Sequence, residues 1–187
     1  VYRRMLGGAE DDALLSLPSP FPQGNLLILR SPLSTRYRDR NRTAEAVADA
    51  ILALAQARSG CCLACFPSYA YLQQAAELIS ARKRAETELI LQREGMSEAE
   101  RGEFLRAFSP RESGSLLALA VLGGAFGESV NLPGERLVGV AVVGVGMPQV
   151  CPEREALKTL GDKAGGDGFE TAYRVPGMSR VTQAVGR

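Results

Sequence analysis

Apolar positions along the chain fall into short runs separated by stripes of helical period. The run Leu116-Leu-Ala-Leu-Ala-Val-Leu122 has no polar position, and Gly123 and Gly124 bound it. That pattern predicts a strand buried on both faces. Gly60–Phe66 reads the same way, Glu88–Gln92 is a shorter version with Gln92 just past its apolar run, and Leu137–Val145 follows the turn Leu132-Pro-Gly-Glu-Arg136. Asn25–Leu29, after a loop rich in proline and serine, predicts one further short strand.

Helical stripes lie between these runs. Thr43 is a good N-cap, with Glu45 in the first turn and Val47, Ala50, Ile51 and Leu54 on one face. Ser68 caps a helix whose stripe is Leu72, Ala75, Ala76 and Ile79. Ser97-Glu-Ala-Glu100 forms a capping box that turns Phe104, Leu105 and Phe108 inward. Beyond Val145 come a helix from about Glu153 to Leu160, a glycine-rich loop at 161–168, and a last helix with Ser179 as its expected N-cap. Val1–Gly8 resembles the tail of a helix closed by glycine, so the start is expected to be internal to a longer protein. Strand and helix alternate, which predicts an α/β fold with a mostly parallel sheet and helices on both faces. Ligands bind such sheets beyond the carboxyl ends of the strands. Two polar stations fit that place: Glu128 with Asn131, and the closing Gln183-Ala-Val-Gly-Arg187.

Composition narrows the chemistry. A chain of 187 residues with 23% charged positions and a net charge of +1 is ordinary for a globular domain, so any nucleic-acid surface must be a local patch. No run approaches a membrane span and no signal peptide opens the chain, which makes the cytoplasm the expected compartment. There is no histidine, and this removes Ser/His/Asp and Cys/His catalysis. Cys62-Leu-Ala-Cys65 has the spacing of a metal or redox pair. It sits inside a predicted strand, however, where neighbouring side chains alternate between faces, so small buried hydrophobes are expected and no metal site. Arg36, Arg38, Arg40 and Arg42 surround Tyr37 in seven residues, a spacing that fits phosphate contact and a solvated face equally.

Three stretches, taken in order, resemble a known family. Phe66-Pro-Ser-Tyr-Ala-Tyr-Leu72, Gly123-Gly-Ala-Phe-Gly-Glu-Ser-Val-Asn-Leu-Pro-Gly-Glu-Arg-Leu137 and Gln183-Ala-Val-Gly-Arg187 are similar to motifs IV, V and VI of superfamily 2 DNA helicases of the DinG and XPD branch. Ser19-Pro-Phe21 and Thr35-Arg-Tyr37 match the lead-in. The resemblance implies that residues 1–187 are the second RecA-like motor domain, with 1–24 leading in from the preceding domain. It implies that ATP and magnesium are held mainly by a first RecA-like domain of the same protein, since the phosphate-binding Gly-Lys loop is absent here. Any iron–sulphur cluster would also belong outside this chain.

By the same resemblance, Arg187 is the arginine finger, Gln183 shares its helix face, and Glu128, Asn131 and Gly186 contact nucleotide. Single-stranded DNA would be followed by Ser68, Tyr69, Gly123, Gly124, Arg36 and Arg38. Ser129 and Asn131 stand where the family has glycine and aspartate, a departure that favours the alternative of a non-catalytic nucleic-acid-binding or scaffolding domain.

Overall fold

The computed structural model describes residues 7–9, 11–13, 15–18, 22–124, 126 and 132–186. Glu128, Asn131, Arg187, Ser19–Phe21 and the expected helix tail at 1–6 lie outside the described residues. The chain forms two compact units, Val1–Pro32 and Leu33–Arg187. In the first, a 3-10 turn spans Gln23–Asn25. The expected strand at Asn25–Leu29 does not form, and Leu27 and Leu29 are each 80% exposed. An apolar segment becomes a strand only when a neighbour takes up its N–H and C=O groups, and the four-stranded sheet does not include this one.

The second unit is the predicted α/β fold. Strands β1 (Gly60–Phe66), β2 (Thr87–Leu91), β3 (Ser115–Val121) and β4 (Gly139–Val142) form one all-parallel sheet in the order β2-β3-β1-β4. Helices α1 (Arg40–Gln56) and α2 (Tyr69–Arg82) pack on one face against Cys62, Ala64, Phe66, Leu117 and Leu119. Phe104 of α3 (Glu98–Arg106), Phe108 just beyond it and Ala184 of α5 (Val175–Val185) pack on the other, against Cys61, Leu63, Cys65, Leu116, Ala118 and Ala120. Alternate residues of β1 and β3 thus feed opposite layers, which is why both strands are apolar after their first residues, Gly60 and Ser115. Cys62 and Cys65 diverge for the same reason. Burying a leucine of this kind is worth about 1.5–3 kcal/mol.

Side-chain chemistry fixes the helix ends. At α3 the Ser97 N–H donates to the Glu100 carboxylate at 2.8 Å and the Glu100 N–H donates to Ser97 Oγ at 3.3 Å, the predicted capping box. Past its far end Arg136 donates to the carbonyls of Phe108 (2.8 Å) and Leu105 (3.2 Å), groups left over where a helix stops.

Two expectations on helix starts are corrected. Thr43 is not an N-cap: α1 begins at Arg40, and the Thr43 hydroxyl donates back to Asp39 O and to Ser34 O, as threonines inside a first turn do. The buried stripe is Ala44, Val47, Ala48, Ile51, Leu52 and Ala55, and it leaves Ala50 exposed. Ser179 is not an N-cap either, because it lies inside α5. A π-turn at Glu170–Arg174 leads into α5, and helical structure runs from Gly168 to Val185 through Pro176. The widened turn accommodates the proline's missing N–H. The helix after β4 is longer than expected, with α4 at Pro152–Lys163. Arg154 of α4 donates to Ala172 O at 2.8 Å, and Tyr173 of the π-turn donates to Glu155 at 2.6 Å.

Candidate functional site

Several polar positions converge at the carboxyl edge of the sheet. β1 ends at Phe66, Pro67 turns the chain, and Ser68 enters α2 in an extended conformation. Its Oγ accepts the Tyr71 N–H at 3.4 Å and its carbonyl accepts the Leu72 N–H at 3.0 Å. The first turn of a fourteen-residue helix therefore opens beyond the end of a central strand, which favours an anion there.

Gln92 ties this helix start to the end of β3. Its carboxamide nitrogen donates to the Tyr69 hydroxyl at 2.9 Å and its carboxamide oxygen accepts the Val121 N–H at 2.8 Å. The Gln92 N–H donates to Leu119 O at 2.8 Å. The β2–β3 ladder ends at Leu91, so the Gln92 side chain takes over pairing that a longer β2 would have supplied. The residue is 4% exposed, and each polar atom of its amide has a partner.

Gly123 and Gly124 follow directly, and the space beside each is filled. Gly123 has φ +71°, and a Cβ there would stand 2.7 Å from Arg180 Nε. A Cβ on Gly124 would stand 3.2 Å from Gln92 Nε2. The glycine pair thus admits two side chains of the protein itself. Arg180 reaches across from α5 and donates to Gly146 O at 3.1 Å, so one guanidinium joins α5, the end of β3 and the loop after β4. Gln183 lies one turn further along α5 and is exposed, while Ala184 beside it is buried against the sheet. Gly186 closes the helix and is exposed.

The arginine-rich segment lies at the same edge. Gln74 of α2 donates to Asn41 of α1 at 3.2 Å, and Arg82 of α2 pairs with Glu45 (2.8 Å) and Asp49 (3.2 Å). These contacts ascend together, so α1 and α2 run parallel and start at the same end. Arg36 and Arg38 are exposed on the 3-10 turn Tyr37–Asp39 that enters α1. The Ser34 hydroxyl donates to Asp39 at 2.6 Å and Arg42 pairs with it at 3.4 Å. That hydroxyl above all, assisted by Arg42, Arg38 and Arg36 and opposed by desolvation, holds the Asp39 carboxyl below its ordinary range.

Of the residues singled out in the sequence, Ser68, Tyr69, Gly123 and Gly124 are brought together indirectly, and Gln183 and Gly186 lie further along α5. Gln92 and Arg180 make the links, and neither stands out as functional from spacing alone. The signal for Gln92 is a lone amide closing an apolar run. For Arg180 it is a position one turn before Gln183 on the same helix face.

Other chemistry is sparse. All four cysteines are free, and burial, reinforced by Cys61 and opposed by Arg58, pushes the Cys62 thiol up to about 11. Among the described residues no group of three or more His, Cys, Asp or Glu side chains could hold a metal ion, and no helix is long and apolar enough to cross a membrane.

Comparison with known proteins accords with this geometry. Residues 51–187 match the model of the helicase C-terminal domain family. Comparison with curated proteins gives no match. Among solved structures, one named XPD_Helicase is similar over 83% of this chain and 27% of its own, with a TM-score of 0.60 and 20% identity. One named XPD_APO is similar over 82% and 30%, with a TM-score of 0.59 and 19% identity. S. tokodaii Xpd4 is similar over 83% and 29%, with a TM-score of 0.56 and 18% identity. The chain thus spans less than a third of each of these structures, and at such identities the likeness is one of fold.

Proposed function

Since the chain belongs to the helicase C-terminal domain family, we propose that it is the second RecA-like motor lobe of an ATP-dependent DNA helicase working in the cytoplasm. Residues 1–24 lead in from a preceding domain on this reading. The observation that carries it is the meeting of Ser68, Tyr69, Gly123, Gly124 and α5 at one sheet edge through Gln92 and Arg180.

The chain supplies only part of a nucleotide site. The exposed face of α5 carries Gln183, and Arg187 follows four residues later in the sequence. These residues fit a site completed by another lobe, with ATP and its magnesium held mainly there. ATP bound between the lobes would draw them together, and transfer of its γ-phosphoryl group to water would let them part. Arg187 stabilises the charge that develops on that group, and its planar, permanently charged fork suits phosphate oxygens. Gln183 and Gly186 position the end of the helix against the nucleotide. Glu128 and Asn131 follow β3 and pass the state of the cleft to Gly123 and Gly124.

On the nucleic-acid side, the α2 start at Ser68 receives a phosphate of single-stranded DNA, Tyr69 lines the track, and Arg36 and Arg38 add charge that needs no sequence. Alternating grips on one strand would then yield translocation and unwinding. The test is ATP turnover by the intact protein with and without single-stranded DNA, beside its Arg187→Ala variant. We expect DNA-stimulated turnover that the variant loses by roughly 10³–10⁵-fold, the usual worth of an arginine finger. The chain alone should not turn over ATP. An intact protein that binds DNA without stimulated turnover would instead be the non-catalytic DNA-binding scaffold, the reading that Ser129 and Asn131 favour.

A further inference from the structure

The arginine-rich turn carries a feature that phosphate contact leaves unexplained. Tyr37 is 86% exposed, yet the segment that presents it is tightly held. The Ser34 hydroxyl donates to Asp39, Thr43 donates to Ser34 O at 2.7 Å, and Arg40 Nε donates to Thr35 O at 3.4 Å. A tyrosine on such a turn is set out into solvent by a fixed backbone.

Its ring also has a cation against it. The Arg40 guanidinium carbon lies 5.3 Å from the centroid of Tyr37 and 4.5 Å from that of Tyr71. Tyr71 is 2% exposed and meets Phe66 edge to face at 5.6 Å, so it anchors the stack in the core. Arg40 bridges this anchor to the exposed ring, and cation–π attraction keeps the assembly in register. Arg36 and Arg38 flank Tyr37 in the chain, and both are exposed. Tyr71 lies three residues past Ser68, in the first turn of α2.

We propose that Tyr37, backed by Arg40 and Tyr71, is a stacking platform for one base of single-stranded DNA, and that it extends the DNA track outward from the α2 start at Ser68. The inference rests on the DNA-motor reading and adds a site to it. Every base has a π-face, so the contact is indifferent to sequence. The flanking arginines meet the phosphates, while the held turn has little conformational freedom left to lose on binding.

The experiment is equilibrium binding of the intact protein to a labelled oligothymidylate and to an abasic strand of the same length, for the unaltered protein, Tyr37→Ala and Tyr37→Phe. Since Tyr37 is exposed, neither substitution disturbs the core. We expect Tyr37→Ala to weaken oligothymidylate binding by roughly 5- to 150-fold, the range for removing one base–aromatic stack, and Tyr37→Phe to bind like the unaltered protein. On the abasic strand all three should bind alike. The salt dependence of Tyr37→Ala should match that of the unaltered protein, whereas Arg36→Ala should lower the slope by about 0.7 for each phosphate it no longer neutralises. Firm oligothymidylate binding that Tyr37→Ala leaves unchanged, or a Tyr37→Ala defect that persists on the abasic strand, overturns the platform and spares the motor reading. No binding of either strand by the unaltered protein overturns both.

Discussion

The start of α2 and the end of α5 are built in opposite ways. The start of α2 is closed and tied: Ser68 caps it, Tyr69 is half-buried, and Gln92 fastens it to β3 with each amide atom engaged. The end of α5 is held from behind by Arg180 and Ala184 but presents Gln183 and Gly186 to solvent. A grip on a polymer that slides past can be complete within one lobe. A charge that must reach a phosphoryl group on a different lobe has to stay uncommitted until that lobe arrives. On the proposed reading, the first end is the DNA grip and the second is half of a nucleotide site.

The comparison can be broken at either end. The largest effect is expected at α5, where Gln183→Ala in the intact protein should lower ATP turnover, by less than the Arg187→Ala loss, while leaving the thermal midpoint in place, because the side chain is exposed. Gln92→Leu attacks the bridge. It leaves the Val121 N–H and the Tyr69 hydroxyl without their partner, which should cost about 1–3 kcal/mol of stability. For a chain of this size each kcal/mol lowers the thermal midpoint by about 2–4 °C. DNA affinity should fall with it, since Tyr69 is no longer tethered. Ser68→Ala removes the cap and should cost about 0.5–2 kcal/mol in denaturant titration, with Ser68→Thr restoring most of it.

A last comparison lies away from both ends and serves as a control. Burial raises the Cys62 thiol from 9.0 to about 11, so the folded chain keeps a proton that the unfolded chain gives up. Stability from this group is complete below pH 9 and is lost as pH rises from 9 toward 11. Comparing the pH dependence of unfolding in this window with that of Cys62→Ala isolates the contribution, and neither DNA binding nor turnover should differ at neutral pH.

Much of this is legible in the sequence because local chemistry and fold agree there. The apolar run of β1 and the Ser97–Glu100 box declare themselves, since burial on both faces and reciprocal capping each leave a fixed spacing. The start of α2 is equally plain in Ser68. Three other features are hidden by competition between levels. Thr43 has the chemistry of a cap, yet Arg40–Arg42 add a turn before it, and its hydroxyl turns back to Asp39. Pro176 and Gly177 look like breakers, but the π-turn before them carries the helix through. Asn25–Leu29 has the composition of a strand without entering the sheet. At the site, Gln92 and Arg180 acquire meaning only when β2, β3 and α5 are brought together, which no spacing along the chain reveals.

The division between the two ends is tested most directly by measuring single-stranded DNA affinity of the intact protein for two variants side by side. Arg187→Ala should bind DNA as the unaltered protein does, despite its loss of turnover. Ser68→Asp keeps a good helix cap but sets a negative charge where a phosphate is expected, and it should weaken DNA binding at least about tenfold. If Ser68→Asp binds DNA normally, or if Arg187→Ala loses DNA as severely as it loses turnover, the assignment of grip to α2 and nucleotide to α5 is wrong.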